Sequence, residues 1–129
     1  MKAKILIIDD GLDSWTLLST ILRQHDYVPI WAADGIQAMS LARSQEPALI
    51  LLDLGLPGGD GLIVLERLKA NRLVANIPVI VVTGRNPGEA EVLTKRLGAA
   101  AYLQKPVKAE ELIALIKETL PKEQPVRLR

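Results

Sequence analysis

A chain of 129 residues, 49% of them hydrophobic, has material for one buried core and no second. Sixteen lysines and arginines against fifteen acids leave a net charge near +1, so there is no electrostatic footprint for direct binding of nucleic acid or of an anionic membrane surface. The absence of cysteine excludes disulfides and thiolate metal sites, and no apolar run approaches the roughly 20 residues of a membrane span.

The first aliphatic run, ILII at 5–8, comes so soon after Met1 that no room is left for a signal peptide, and a cytoplasmic protein is expected. Leu18, Ile21 and Leu22 follow at helical spacing. VPIWA at 28–32 is a second strand. Its Pro29 cannot donate a ladder hydrogen bond, which places the strand at an edge. Ile36, Met39 and Ala42 then mark a helix, ALILL at 48–52 a third strand, and Leu62, Leu65 and Leu68 another helix. Between these two elements, DLGLPGGDG begins with Asp53 and turns through Gly55, Pro57, Gly58 and Gly59. IPVIVV at 77–82 is the fourth strand, and a helix marked by Leu93 and Leu97 stops at Gly98. AAYL at 100–103 is a weaker fifth strand, cut by Pro106 from a last helix carrying Leu112, Leu115, Ile116 and Leu120. Residues 122–129 belong to a tail or to the start of a linker.

Strand and helix thus alternate five times, and the strands are apolar on both faces, as a parallel sheet covered on both sides requires. The expected fold is a doubly wound, flavodoxin-like α/β sandwich. Its five-stranded parallel sheet has the order 2-1-3-4-5, with helices on both faces.

In such a sheet the site lies beyond the carboxyl ends of the strands, where the order reverses. The first strand ends in Asp9 and Asp10 and the third in Asp53, and neighbouring strands are about 4.8 Å apart. Three crowded carboxylates cannot all stay ionised cheaply without a cation, and Mg²⁺ suits an all-oxygen set. The fourth strand delivers the Thr83 hydroxyl. Lys105 follows the fifth, roughly two strand spacings or 10 Å from Asp53, a gap its stem can largely bridge. A carboxylate nucleophile flanked by a cation site, an amine and a hydroxyl suits phosphoryl uptake, with Asp53 becoming an aspartyl phosphate.

The series DD, DLGLPGGDG, VVTG and YLQKP, in this order at strand ends, resembles the receiver domain of two-component response regulators from about Lys4 to Leu120. The resemblance implies a receiver over residues 1–121. In it Asp53 takes phosphate from a phosphohistidine on a sensor histidine kinase or a histidine phosphotransfer protein. Asp9, Asp10, Asp53 and the Gly55 backbone carbonyl would hold Mg²⁺, while Thr83 and Lys105 would bind the phosphoryl oxygens. A cis Lys105–Pro106 bond is implied, with Tyr102 as the aromatic that follows Thr83 when the face of the fourth helix, fifth strand and fifth helix switches. Output would be an unidentified partner or a homodimer formed on phosphorylation. The chain would act as a switch with self-catalysed transfer and dephosphorylation, not as an enzyme on other substrates. His25, the only histidine, lies near the end of the first helix and offers no internal phosphodonor; Trp15 and Trp31 are expected to do no more than pack.

Gly11 follows the DD pair where relatives often carry a polar or acidic side chain, and Gly55 and Arg85 stand where neighbouring side chains tune water access to the phosphate. A phosphatase of the haloacid dehalogenase type would need a second aspartate at position 55. A phosphate-independent, receiver-like interaction module would be expected to have lost the lysine or the acceptor, and this chain has both.

Overall fold

Each strand alternates its aliphatic side chains between two helical layers, and that alternation sets the architecture. The computed structural model describes residues 2–56 and 61–121. Along the chain run β1 (Lys4–Ile8), α1 (Leu12–Gln24), β2 (Val28–Ala32), α2 (Gly35–Gln45), β3 (Leu49–Leu52), α3 (Gly61–Ala70), β4 (Val79–Thr83), α4 (Pro87–Arg96), β5 (Ala101–Gln104) and α5 (Ala109–Thr119). The strands form one parallel sheet in the order β2-β1-β3-β4-β5, with Pro29 on the edge strand, as anticipated.

Leu6, Ile8, Ile50, Leu52, Val79 and Val81 project to one side, where Ala38 and Ala42 of α2 and Val64, Leu65 and Leu68 of α3 cover them. Ile5, Ile7, Leu49, Leu51, Ile80, Val82 and Leu103 project to the other, under Leu18, Ile21 and Leu22 of α1 and Leu112, Ile113 and Ile116 of α5. This is the period of two along a strand meeting the period of 3.6 along a helix. Among the described residues, no helix is long and apolar enough to cross a membrane.

Two helices present other faces than their spacing predicts. Ile36 is 85% exposed, because α2 packs through Ala38 and Ala42, with Met39 and Leu41 half-buried beside them. Its start is fixed by Asp34, whose carboxylate accepts the Gln37 amide at 2.8 Å, while the Gln37 side chain accepts the Ala33 amide at 3.0 Å. In α4 the buried stripe is Ala90, Thr94 and Leu97, so Leu93 turns outward and is 42% exposed. Thr94 tolerates burial by donating its hydroxyl to the Glu91 carbonyl at 3.1 Å. Gly98, at φ +103, ends that helix where a stop was expected. The Pro57, Gly58 and Gly59 turn and the 122–129 tail lie outside the described residues.

Candidate functional site

The register of β1 with β3 builds the acidic centre. Ile8 pairs with Leu52, so Asp9 and Asp53 are each the first residue beyond a buried strand, and the Asp53 amide donates to the Ile8 carbonyl at 2.9 Å. Continuing the strand alternation, Asp9 and Asp53 share the face of Ile7 and Leu51, toward α1 and α5. Carboxylate oxygens of Asp9, Asp10 and Asp53 all lie within 4.8 Å of one another. Their settings differ: Asp9 is 3% exposed, Asp53 half-buried and Asp10 open to solvent.

A carboxylate as buried as Asp9 needs partners for its lone pairs. Its Oδ1 accepts the Gly11 amide at 2.9 Å and its Oδ2 accepts Lys105 Nζ at 2.7 Å. Asp53 is held in the same way, Oδ1 by the Gly55 amide at 3.1 Å and Oδ2 by Lys105 Nζ at 3.2 Å. Lys105 therefore bridges the two acids. Its own amide donates to the Thr83 carbonyl at 2.8 Å, which ties the residue to the end of β4, and the Lys105–Pro106 peptide is cis, as the resemblance implied. Burial alone would lower the lysine's pKa; the hydrogen bond to Asp9 and the charges of Asp53 and Asp9 outweigh that cost and hold it above its ordinary value.

The donor chemistry fits a hard divalent cation. Every side-chain ligand in the cluster is a carboxylate oxygen, with no nitrogen or sulfur to favour a softer metal. The ammonium of Lys105, lodged between two of the three carboxylates, is the stand-in that demonstrates the site's demand for positive charge.

Thr83 and Tyr102 occupy the opposite face of the sheet. Thr83, 1% exposed, shares the side of Val81, and its Oγ1 accepts the Arg85 amide at 3.4 Å. Tyr102 packs half-buried against the layer of α3 and α4, and its hydroxyl donates to the carbonyls of Arg85 at 3.0 Å and Asn86 at 3.4 Å. Gln104 Nε2 donates to Asn86 Oδ1 at 2.9 Å, so β5 grips the loop after β4 twice. Burial raises the Tyr102 pKa, Arg85 opposes that rise, and the charges of Glu91 and Asp53 add to it.

Sequence spacing missed three contributors. Ser14, in the first turn of α1, accepts from Lys105 Nζ at 2.9 Å. The Trp31 indole donates to the Asp9 carbonyl at 2.7 Å, and its ring stacks on Trp15 with centroids 5.1 Å apart and planes 4° from parallel. Packing was expected of the two tryptophans; the hydrogen bond to the site was not. Gly61 is the third: a Cβ there would stand 2.5 Å from the Asp53 carbonyl oxygen and from Leu54 Cα, so only glycine lets α3 start against the chain that carries Asp53. A hydroxyl in a helix's first turn carries no sequence signal of what it faces, although the closing glycine of DLGLPGGDG could have been read as a close approach.

His25 caps the end of α1, with Nδ1 2.9 Å from the Ile21 carbonyl oxygen, and takes no part in the site.

The family model for the response regulator receiver domain matches residues 5–117. Sporulation initiation phosphotransferase F of Bacillus subtilis is 36% identical over 123 residues, covering 94% of this chain and 96% of its own. The phosphate regulon transcriptional regulatory protein PhoB of Escherichia coli is 32% identical over 126 residues; the match takes in 98% of this chain but spans only 55% of PhoB. Among solved structures, the receiver domain of sensor histidine kinase PA1611 from Pseudomonas aeruginosa has a magnesium ion coordinated in its active site cleft. It superimposes with a TM-score of 0.84 at 28% identity, over 92% of this chain and 98% of that one. The chain belongs to the response regulator receiver domain family, and its role is phosphorelay signal transduction.

Proposed function

We propose that Asp53 is the phosphoacceptor. Its Oδ attacks the phosphorus of a phosphohistidine on a sensor histidine kinase or histidine phosphotransfer protein; the P–N bond breaks, and its electron pair stays on the imidazole nitrogen. The carrying observation is that one lysine ammonium lies within hydrogen-bond reach of both Asp9 and Asp53, at 2.7 and 3.2 Å. Acids that shared no cavity would leave no place for a phosphoryl group to be neutralised.

Asp9, Asp10 and Asp53, with the Gly55 carbonyl, would hold Mg²⁺, which supplies positive charge to the transferred oxygens. Lys105 orients one phosphoryl oxygen and offsets its charge, and the Thr83 hydroxyl, which here faces the other side of the sheet and accepts the Arg85 amide, turns over the end of the sheet to bind another. Release is hydrolytic: water attacks phosphorus, the P–O bond to Asp53 breaks, and the carboxylate returns. Both steps are self-catalysed by these side chains, and the chain turns over no further substrate.

Movement of Thr83 toward the phosphate shifts the loop that Tyr102 and Gln104 grip, and the face of α4, β5 and α5 changes for an output partner or a second copy. Residues 1–121 make up this receiver and 122–129 a tail or linker, working in the cytoplasm beside the donor. The phosphate-independent module has nothing in its favour, since acceptor and lysine are both retained and in contact.

Incubation with acetyl phosphate and Mg²⁺, followed by intact mass and peptide mapping, is the test. One phosphoryl mass on Asp53, dependent on Mg²⁺, is expected. No gain with the small donor or with a cognate kinase would refute the assignment. A beryllofluoride mimic that left partner affinity and self-association unchanged would refute the switch.

A further inference from the structure

Lys105 has three N–H donors, and three acceptors take them: Asp9 Oδ2 at 2.7 Å, Ser14 Oγ at 2.9 Å and Asp53 Oδ2 at 3.2 Å. Two of these belong to the carboxylates that would turn to a divalent cation, and a cation there repels the ammonium as well as competing for its acceptors. Ser14 is neutral, belongs to α1 and lies outside the acidic cluster. We infer that Ser14 is a positioning residue for phosphoryl transfer: its hydroxyl keeps the Lys105 ammonium at the site when Asp9 and Asp53 are engaged by a cation.

The local architecture is built for that contact. A Cβ on Gly11 would stand 3.3 Å from Asp9 Oδ1, the oxygen that accepts the Gly11 amide, and in ordinary contact with Ser14 Oγ at 3.6 Å, so the turn after the DD pair brings the Asp9 and Ser14 side chains to one point. One residue beyond Ser14, Trp15 lies flat on Trp31, and Trp31 holds the Asp9 carbonyl. The first turn of α1 and the end of β1 are thereby fixed to each other, which sets the spacing of Ser14 from Asp9. The Arg23 guanidinium, from farther along α1, lies over the Trp15 ring 5.8 Å from its centroid.

This inference rests on Asp53 being the acceptor, and the experiment separates the two. Ser14→Ala, Ser14→Val and Ser14→Thr are compared with wild type for the rate of Asp53 labelling by acetyl phosphate at saturating Mg²⁺. Mg²⁺ affinity is measured by calorimetry, and the side-chain ammonium resonance of Lys105 is followed by ¹⁵N NMR in the Mg²⁺-loaded, unphosphorylated protein. Ser14→Ala and Ser14→Val should label roughly tenfold more slowly, the worth of one hydrogen bond to a charged group. Ser14→Thr, isosteric with valine but bearing the hydroxyl, should recover to within about twofold. Mg²⁺ affinity should stay within about twofold in all three, since Ser14 is outside the cation's ligand set. The Lys105 resonance should be sharp in wild type and Ser14→Thr and exchange-broadened in Ser14→Ala and Ser14→Val. Wild-type rates and a sharp resonance in Ser14→Val would overturn the inference, as would a Ser14→Thr as slow as Ser14→Val. If wild type itself took up no phosphate, the acceptor assignment would fall, and the resonance comparison would still decide for or against Ser14.

Discussion

Two half-buried lysines stand at opposite ends of the sheet and differ in what holds them. Lys69, in the last turn of α3 at the amino-terminal edge, donates to the carbonyls of Ala75 at 3.1 Å and Ile77 at 3.0 Å, closing the segment that leads into β4. Lys105, at the carboxyl-terminal edge, donates to carboxylates. Burial lowers the pKa of Lys69, whereas the acids around Lys105 raise its pKa despite burial. Neutral dipoles fix a cation where nothing is meant to replace it. Carboxylates hold one only until a stronger cation or a phosphoryl group arrives, so the carboxyl-terminal edge is responsive and the opposite edge is a fastening.

The largest effect that would sharpen this contrast is at the acceptor. Asp53→Asn should abolish the phosphoryl mass gain while leaving a folded protein, because the amide keeps the shape and an acceptor for Lys105 but loses the nucleophile. Full labelling of that variant would mean another residue takes the phosphate. Next is Lys105→Met, expected to slow labelling by about 100-fold, within the range for removing one preorganised charge from a transition state. The same variant should uncouple the residual phosphate from partner binding, read as equal affinities with and without beryllofluoride. Lys69→Met supplies the other arm: unfolding in urea should show a loss of about 1 kcal/mol, the net worth of hydrogen bonds to half-buried carbonyls that water can partly replace. Its labelling rate should match wild type. A Lys69→Met protein that was stable but slow to label would break the division between the two edges.

The sheet and its acids were legible because they depend on one-dimensional order. LILL in β3 is apolar throughout and VIVVT in β4 at every position but the last, so the charge directly after the first and the hydroxyl that closes the second have to lie at the lip of the core. Asp9, Asp53, Thr83 and Lys105 are placed by strand ends in this way. Helix rotation is a different matter, since it is decided by what the sheet offers opposite. Thr94 replaced Leu93 in the buried stripe of α4 because its hydroxyl could be satisfied within the helix, and Ile36 was left outside because small alanines let α2 lie close. Ser14 was illegible for the same reason: its contact with a residue 91 positions away depends on how α1 is rolled on the sheet. Trp31 could be placed on an edge strand, but its reach to Asp9 depends on the stack with Trp15, which no spacing encodes.

The smallest effect tests the comparison through its sign. For Lys69 the folded pKa lies below the ordinary 10.5, so between the two values the unfolded chain binds more protons, and stability rises with pH as the buried charge is relieved. For Lys105 the folded pKa lies above 10.5: its contribution is complete below that pH and is lost as pH climbs through the folded value. Urea unfolding of wild type, Lys69→Met and Lys105→Met in chelator, at steps from about pH 8 to about pH 11, isolates each contribution as a difference from wild type. The advantage of wild type over Lys69→Met should grow through the approach to 10.5, and its advantage over Lys105→Met should hold level there and decline beyond it. Both differences are modest because solvent screens half-exposed ammonium groups, so their opposite directions carry the test more than their sizes. Parallel curves would mean that the two lysines sense the same environment, and the carboxylates at the strand ends would then not be holding Lys105 as an exchangeable counter-ion.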